Sequence, residues 1–150
     1  MAVVDPFGPG AAAGGAAAVS YTEVTVTCTG DLDAGTGNED FAITLPADGL
    51  IVHATLTRTA GDSTNLGALL YEGDPADGGT LIGAIFGVAF SAFGYDLSAG
   101  PKTGPLINAG GSDIPAALPY SLTDPYVRLT NRDFSNTGRS SLTLTVLDVA

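Results

Sequence analysis

The chain of 150 residues lacks tryptophan and has one cysteine, one histidine and five basic residues. With one cysteine no intrachain disulfide can form, so the fold does not depend on an oxidising compartment. Five lysines and arginines against sixteen carboxylates leave a formal net charge of −11. Nucleic-acid binding requires many basic groups to neutralise phosphates, and an anionic membrane surface attracts the same groups. We therefore expect neither a nucleic acid nor a membrane as partner.

The motifs of the common catalytic sites are missing as well. The sequence has no GxSxG elbow, no phosphate-binding P-loop, no HExxH zinc motif and no Cys/His ligand set. Cys28 alternates with Val24 and Val26, which predicts a small core residue and not a nucleophile. His53 lies in the middle of a predicted strand, on a half-exposed face. We therefore expect no catalytic residue, no cofactor and no enzymatic activity.

A two-residue period runs through most of the chain after residue 20. Apolar residues alternate with threonine in the segments YTEVTVTCT (21–29), LIVHATLTR (50–58) and SSLTLTVLDV (140–149). This alternation is typical of half-buried β-strands. In the second segment it predicts that Leu50, Val52, Ala54 and Leu56 share one face, opposite His53. Turn-forming residues separate the strands, so residues 21–150 are expected to form one all-β antiparallel sandwich, of jelly-roll type.

Two segments do not follow this period. Residues 1–20 are rich in glycine and alanine, and they contain neither lysine nor arginine, so they do not resemble a secretory signal. We interpret them as an extended arm, because small side chains let a backbone approach and pair with another protein. Residues 98–125 contain five prolines and are predicted to form a long loop.

The loop DLDAGTGNED (31–40) concentrates acidic groups between two predicted strands. Carboxylate oxygens are the ligands that Ca²⁺ prefers, although the spacing does not match an EF-hand. The alternative is a solvated acidic loop with no bound metal. The calcium hypothesis assigns the ligands to Asp31, Asp33, Glu39 and Asp40.

The stretch LIGAIFGVAF (81–90) is apolar on both faces if it forms a strand. Its second face must then be covered, either by the arm or loop of the same chain or by another subunit. The stretch is too short for a membrane span. The second alternative assigns a subunit interface to Ile85, Phe86, Phe90, Phe93, Ile107 and Leu118.

Three features together resemble the small structural proteins of tailed bacteriophages. They are the Gly/Ala-rich arm DPFGPGAAAGGAAAVSYTEVTVT (5–27), the threonine-rich all-β body, and the C-terminal strand pair DPYVRLTNRDFSNTGRSSLTLTVLDVA (124–150). The resemblance implies a decoration or cement subunit, a homotrimer that binds the major capsid protein on the outside of the capsid and is part of a virion assembled in the host cytoplasm. On this interpretation the arm docks on the capsid through Val3, Val4, Phe7, Ala11, Ala16 and Val19.

A second interpretation stays open. A phage fibre or tail-tip domain that binds a receptor glycan would have the same style of sequence, with the arm as a tether. Aromatic side chains provide the stacking surface for sugars, and tyrosines would have to replace the missing tryptophan. The candidates are Tyr71, Tyr95, Tyr120 and Tyr126.

Overall fold

A computed structural model of the protein describes residues 20–86, 102–103, 106–108, 113–114 and 118–149. Within them the chain forms eleven strands and one short 3-10 helix, Pro75–Asp77, and no α-helix. The strands are, in chain order, β1 (Ser20–Thr27), β2 (Asn38–Ala42), β3 (Asp48–Gly61), β4 (Leu66–Glu72), β5 (Thr80–Phe86), β6 (Lys102–Thr103), β7 (Leu106–Asn108), β8 (Asp113–Ile114), β9 (Leu118–Ser121), β10 (Pro125–Asn131) and β11 (Gly138–Asp148).

The strands form two antiparallel sheets. Sheet A has the order β1-β11-β3-β6, with β9 also paired to β3, and sheet B has the order β2-β10-β4-β5-β7-β8. The first long strand thus pairs with the last, β2 with β10, β3 with β9, and β4 with β5. These pairs are nested, because each pair lies between the two members of the preceding pair in the sequence. Nested antiparallel pairs divided between two sheets form the jelly-roll topology. The predicted all-β sandwich is confirmed.

The core lies between the two sheets and follows the predicted alternation. In β11, Leu142, Leu144 and Val146 are buried, whereas the threonines between them are half-buried. The core prediction for Cys28 is also confirmed, because the side chain is buried among the same residues. Its burial raises the pKa of the Cys28 thiol above the ordinary value. The largest fully buried side chains are Ile51, Leu56, Leu66, Leu70, Ile85, Val127, Leu129, Leu142, Leu144 and Val146.

The prediction of which β3 side chains share one face is wrong for the first half of the strand. The pairing with β11 passes from His53 directly to Ile51, which leaves Val52 as an extra residue. Such a bulge inserts one residue into the alternation and exchanges the two faces beyond it. Ile51 and Ala54 are therefore buried, while Val52 is 40% exposed.

The segment predicted as a proline-rich loop (98–125) contains four short strands among its described residues. β6, β7, β8 and β9 have two to four residues each and lie beside the longer strands of both sheets. Pro119 is part of β9, and Pro125 begins β10. Short edge strands are where a sheet tolerates proline. The arm lies outside the described residues up to residue 19, and Ser20 begins β1.

Candidate functional site

Because the long strands are antiparallel, their connections collect at two opposite ends of the sandwich. One end consists of residues 28–37, 62–65 and 132–137, and we call it the Asn131 end. The other consists of residues 43–47, 73–79 and 122–124 together with the strand-end residues Ser20, Asp48, Glu72 and Asp148. We call it the arm end, because the N-terminal segment joins the fold there.

Hydrogen bonds from one buried side chain tie the loops of the Asn131 end together. The Asn131 amide donates to the carbonyl oxygens of Leu32 (3.0 Å) and Asn136 (2.9 Å). Its own oxygen accepts from the Ser63 hydroxyl (2.7 Å) and from the Asp133 backbone N–H (3.0 Å). Asn131 therefore joins three loops that are distant in sequence.

Asp133 organises the turn that follows β10. Its carboxylate accepts hydrogen bonds from the backbone N–H groups of Thr64, Ser135 and Asn136. These donors stabilise the charged form and lower the pKa of Asp133 to about 2. The role of Asp133 in this end is structural.

The structure does not bring the predicted calcium ligands together. Asp31 forms an ion pair with Arg139 (2.6 Å), and Asp40 forms one with Arg128 (2.7 Å). The Glu39 carboxylate accepts from the backbone N–H (2.9 Å) and hydroxyl (2.7 Å) of one residue, Thr29. Asp33 is exposed. In the part of the chain that the structure describes, no three His, Cys, Asp or Glu side chains are grouped to hold a metal ion.

The arm end is acidic. No lysine or arginine occurs in its three connections. The described arginines 58, 132 and 139 contact the Asn131 end, and Arg128 pairs with Asp40. Six carboxylates belong to the arm end: Asp48, Glu72, Asp74, Asp77, Asp124 and Asp148.

Three of these carboxylates shape the turns at the arm end. Glu72 accepts from the backbone N–H groups of Thr123 (3.0 Å) and Asp124 (2.7 Å), which lowers the pKa of Glu72. Asp74 accepts from the N–H of Ala76 and so caps the 3-10 helix. Asp48 accepts from the hydroxyl of Ser121 (2.6 Å). The turns thus hold negative charge in defined positions.

Apolar side chains accompany the acidic groups on the outer face of sheet A. Tyr21, Leu147, Leu50 and Pro119 are successive cross-strand partners on four adjacent strands. Such partners lie on the same face of a sheet, so they form one row, which we call the apolar row. Tyr21 is 62% exposed, and nearby Val149 is 57% exposed. Acidic and exposed apolar groups therefore meet where the arm joins the fold.

A second group of candidate side chains lies on the outer face of sheet B. Tyr71 and Tyr126 are cross-strand partners on β4 and β10. Arg128 makes two hydrogen bonds to Asp40 (2.7 and 2.9 Å), and its guanidinium lies 5.6 Å from the centre of the Tyr71 ring. Desolvation and the charges of nearby carboxylates, first Asp74, raise the pKa of Tyr126. We call Asp40, Tyr71, Tyr126 and Arg128 the tyrosine face.

The structure thus joins two of the four candidate tyrosines, Tyr71 and Tyr126, and places a third in the core. Tyr120 is buried in the core, and Tyr95 lies outside the described residues. Arg128 is a member of this group that the sequence pattern does not predict. Its partner Asp40 is 88 positions away, so no local pattern joins the two residues. The cross-strand pairing β2–β10–β4 is what brings them together.

Two of the six residues assigned to a subunit interface pack into the core of the same chain. Ile85 is fully buried in the main core, so in this chain it faces no partner, and Leu118 packs partly buried against the same core. Phe86 and Ile107 lie in β5 and β7, whereas Phe90 and Phe93 lie outside the described residues. The six docking residues of the arm, from Val3 to Val19, also lie outside them.

Comparisons with known proteins assign the chain to no family. No family model matches it, and no curated protein or solved structure matches it. The described residues contain no helix that is long and apolar enough to span a membrane.

Proposed function

We propose that the protein is a non-enzymatic virion structural protein that binds a phage capsid as a decoration subunit, through its N-terminal arm and the arm end of the sandwich. The observation that carries the proposal is the place where the arm joins the fold. Ser20 begins β1 beside Asp148, its cross-strand partner, and next to the apolar row. An arm that reaches a neighbouring protein from this position brings the acidic, partly apolar end against the same partner.

The fold is compatible with this function without establishing it. Jelly rolls occur in viral capsid proteins and in lectins, and one fold hosts many functions. The chemistry of the arm end is more informative. Six carboxylates at an end whose three connections carry no lysine or arginine favour a partner surface that carries lysine and arginine. Tyr21 and Val149 add apolar area that such a contact would bury.

Co-sedimentation tests the proposal. Capsids that lack the protein are mixed with the full chain at increasing salt concentrations, and the fraction of the chain that sediments with the capsids is measured. The double variant Asp77→Asn/Asp124→Asn at the arm end should bind less tightly, with a weaker salt dependence. The matched control Asp33→Asn/Asp62→Asn removes the same charge at the Asn131 end and should bind like the wild type. Equal behaviour of both variants would contradict docking through the arm end.

The role of the arm is tested by deleting residues 1–18. We expect the body to keep its circular dichroism spectrum and melting transition and to lose attachment, because the deletion leaves β1 intact. Full attachment by the truncated protein would contradict the role of the arm.

One observation favours the second candidate, a fibre or tail-tip module that binds a glycan. The tyrosine face combines two adjacent aromatic rings with a fixed Arg128–Asp40 pair, and such planar polar groups bind sugar hydroxyls. A glycan array probed with the wild type and with Tyr126→Ala distinguishes the candidates. Binding of a glycan that Tyr126→Ala abolishes, together with no attachment to capsids, would replace the first proposal with the second.

A further inference from the structure

The edge of sheet A formed by β1 is long, regular and open. All eight residues of β1 pair with β11 in unbroken register. On its other side no strand pairs with β1 among the described residues. β1 therefore presents a row of main-chain groups to the outside of the sandwich.

The direction of these groups follows from one hydrogen bond. The N–H of Cys28 donates to the carbonyl oxygen of Ser140 on β11 (3.0 Å). Since successive residues of a strand turn their main-chain groups to opposite sides, the even-numbered residues of β1 face β11. The N–H and C=O groups of Tyr21, Glu23, Thr25 and Thr27 face the open edge, where the described residues offer them no main-chain partner.

The next outward-facing N–H group along the chain belongs to Thr29, and a side chain satisfies it. The N–H of Thr29 is bound by the Glu39 carboxylate (2.9 Å), immediately after the strand. The row of outward-facing main-chain groups without a hydrogen-bond partner therefore ends before Thr29. Among the described residues, no side chain makes such a contact with the four outward N–H groups of β1.

The other edge strands of the described sheets are protected against pairing. β2 has five residues and carries Glu39 and Asp40, β6 and β8 have two residues each, and β9 contains Pro119. Short length, charge and proline are the usual means of preventing edge-to-edge association. β1 has eight residues, one charged side chain, no proline and no bulge. Its sequence SYTEVTVT is also rich in β-branched residues, which favour strands.

We infer that β1 pairs antiparallel with β1 of a second copy of the chain, so that two A sheets become one across a two-fold axis. In the register centred on Val24, Glu23 lies opposite the partner's Thr25, and Tyr21 lies opposite the partner's Thr27. Like charges are then not opposed. Four outward residues in each copy would exchange about eight main-chain hydrogen bonds.

The overall charge favours this antiparallel arrangement. Each chain carries a formal net charge of −11, and six carboxylates belong to its arm end. An antiparallel pair places the two arm ends at opposite ends of the joined sheet, which minimises their repulsion. Each arm end stays free to contact a partner. The inference does not rest on the proposed function, and a two-fold pair differs from the trimer that the phage resemblance implies.

The mass of the full chain in solution tests the inference, measured by light scattering after size-exclusion chromatography. We expect twice the 14.9 kDa of one chain. Thr25→Pro removes an outward N–H and places a ring on the edge, while the β11 ladder keeps its donors, so this variant should be monomeric. The matched control Thr25→Val keeps the N–H and should remain dimeric. A monomeric or trimeric wild type, or a dimer that folded Thr25→Pro retains, overturns the inference.

Hydrogen exchange of the wild type gives a test that does not depend on a variant folding. The N–H groups of Glu23 and Thr25 should exchange slowly at high protein concentration and rapidly on dilution below the dissociation constant. The N–H of Leu144, in the buried centre of β11, serves as the internal control and should not respond. Exchange at Glu23 and Thr25 that is fast at every concentration overturns the inference.

Discussion

The two ends of the sandwich both carry carboxylates and use them differently. At the Asn131 end and along the adjoining strands, Asp31 and Asp40 are neutralised by Arg139 and Arg128. Asp133 there is held by several backbone N–H groups. At the arm end, Glu72 and Asp74 accept from backbone N–H groups, and no basic side chain occurs in the connections.

The two ends also differ in the hydrogen bonding of a buried polar side chain. Asn131 uses both ends of its amide in four hydrogen bonds. Tyr120, on β9 near the arm end, has a buried hydroxyl for which the described residues provide no hydrogen-bond partner. Burial and the charges of Asp148 and Asp48 raise the pKa of Tyr120 to about 12. Side-chain hydrogen bonds thus join the loops of the Asn131 end, whereas the arm end combines six carboxylates with the exposed side chains of Tyr21 and Val149.

Loss of the Asn131 side chain should have the largest effect on stability. Asn131→Ala removes four hydrogen bonds, and it leaves the buried Ser63 hydroxyl without an acceptor and the carbonyl of Leu32 with only the N–H of Gly138. Each buried polar group left unpaired costs roughly 1–3 kcal/mol, so we expect the free energy of unfolding to fall by about 3 kcal/mol. Urea denaturation followed by circular dichroism measures this. A loss below about 1 kcal/mol would show that the Asn131 end is not the more stable one.

Gly49→Ala tests the packing of the arm end and should have the second largest effect. A Cβ atom on Gly49 would lie 2.3 Å from the hydroxyl oxygen and 2.6 Å from Cζ of Tyr120. The ring is buried and has to move, which should cost about 1–3 kcal/mol in unfolding free energy. Gly30→Ala is the matched control at the Asn131 end, because its Cβ would have no neighbour within 4 Å. Equal unfolding free energies of the two variants would contradict the prediction.

The third largest effect is expected in the pH dependence of the unfolding free energy, through Asp133 at the Asn131 end. The pKa of Asp133 is lowered from 3.8 to about 2 in the folded protein. A lowered folded-state pKa adds stability that is fully present above the unfolded value and is lost as the pH falls toward the folded one. We therefore expect wild type to exceed Asp133→Asn in unfolding free energy at pH 7, and the difference to shrink between about pH 4 and pH 2. A difference that is independent of pH would contradict this origin.

The smallest effect is expected for Tyr120→Phe. The substitution removes a buried hydroxyl without a described partner and keeps the ring against Gly49. Removing an unpaired polar group relieves its desolvation cost, so the unfolding free energy should stay the same or rise by up to about 1 kcal/mol. Tyr120→Leu, which also removes the ring, is the control and should be destabilised. Destabilisation by Tyr120→Phe would show that the hydroxyl has a partner.

The difference between the two ends could not be predicted from the sequence. The cluster 31–40 looks like a cation site because its carboxylates are close in sequence. In the fold, Asp31 and Asp40 turn to Arg139 and Arg128, which are 108 and 88 positions away. Likewise, the six carboxylates of the arm end are scattered from Asp48 to Asp148 and meet only because the strands alternate in direction. Contacts between distant segments leave no local pattern.

The amino-acid order alone determined the strand period, the buried position of Cys28 and the sandwich class, because alternation with period two is a local property of the backbone. The tertiary structure decided the register, including the bulge at Val52 that turns Ile51 and Ala54 to the core. It also decided which tyrosines meet and that β1, among the described strands, forms an edge of sheet A. The physical reason is that register, edge protection and ion pairs depend on the partner strand, and each strand finds its partner only when the whole chain has folded.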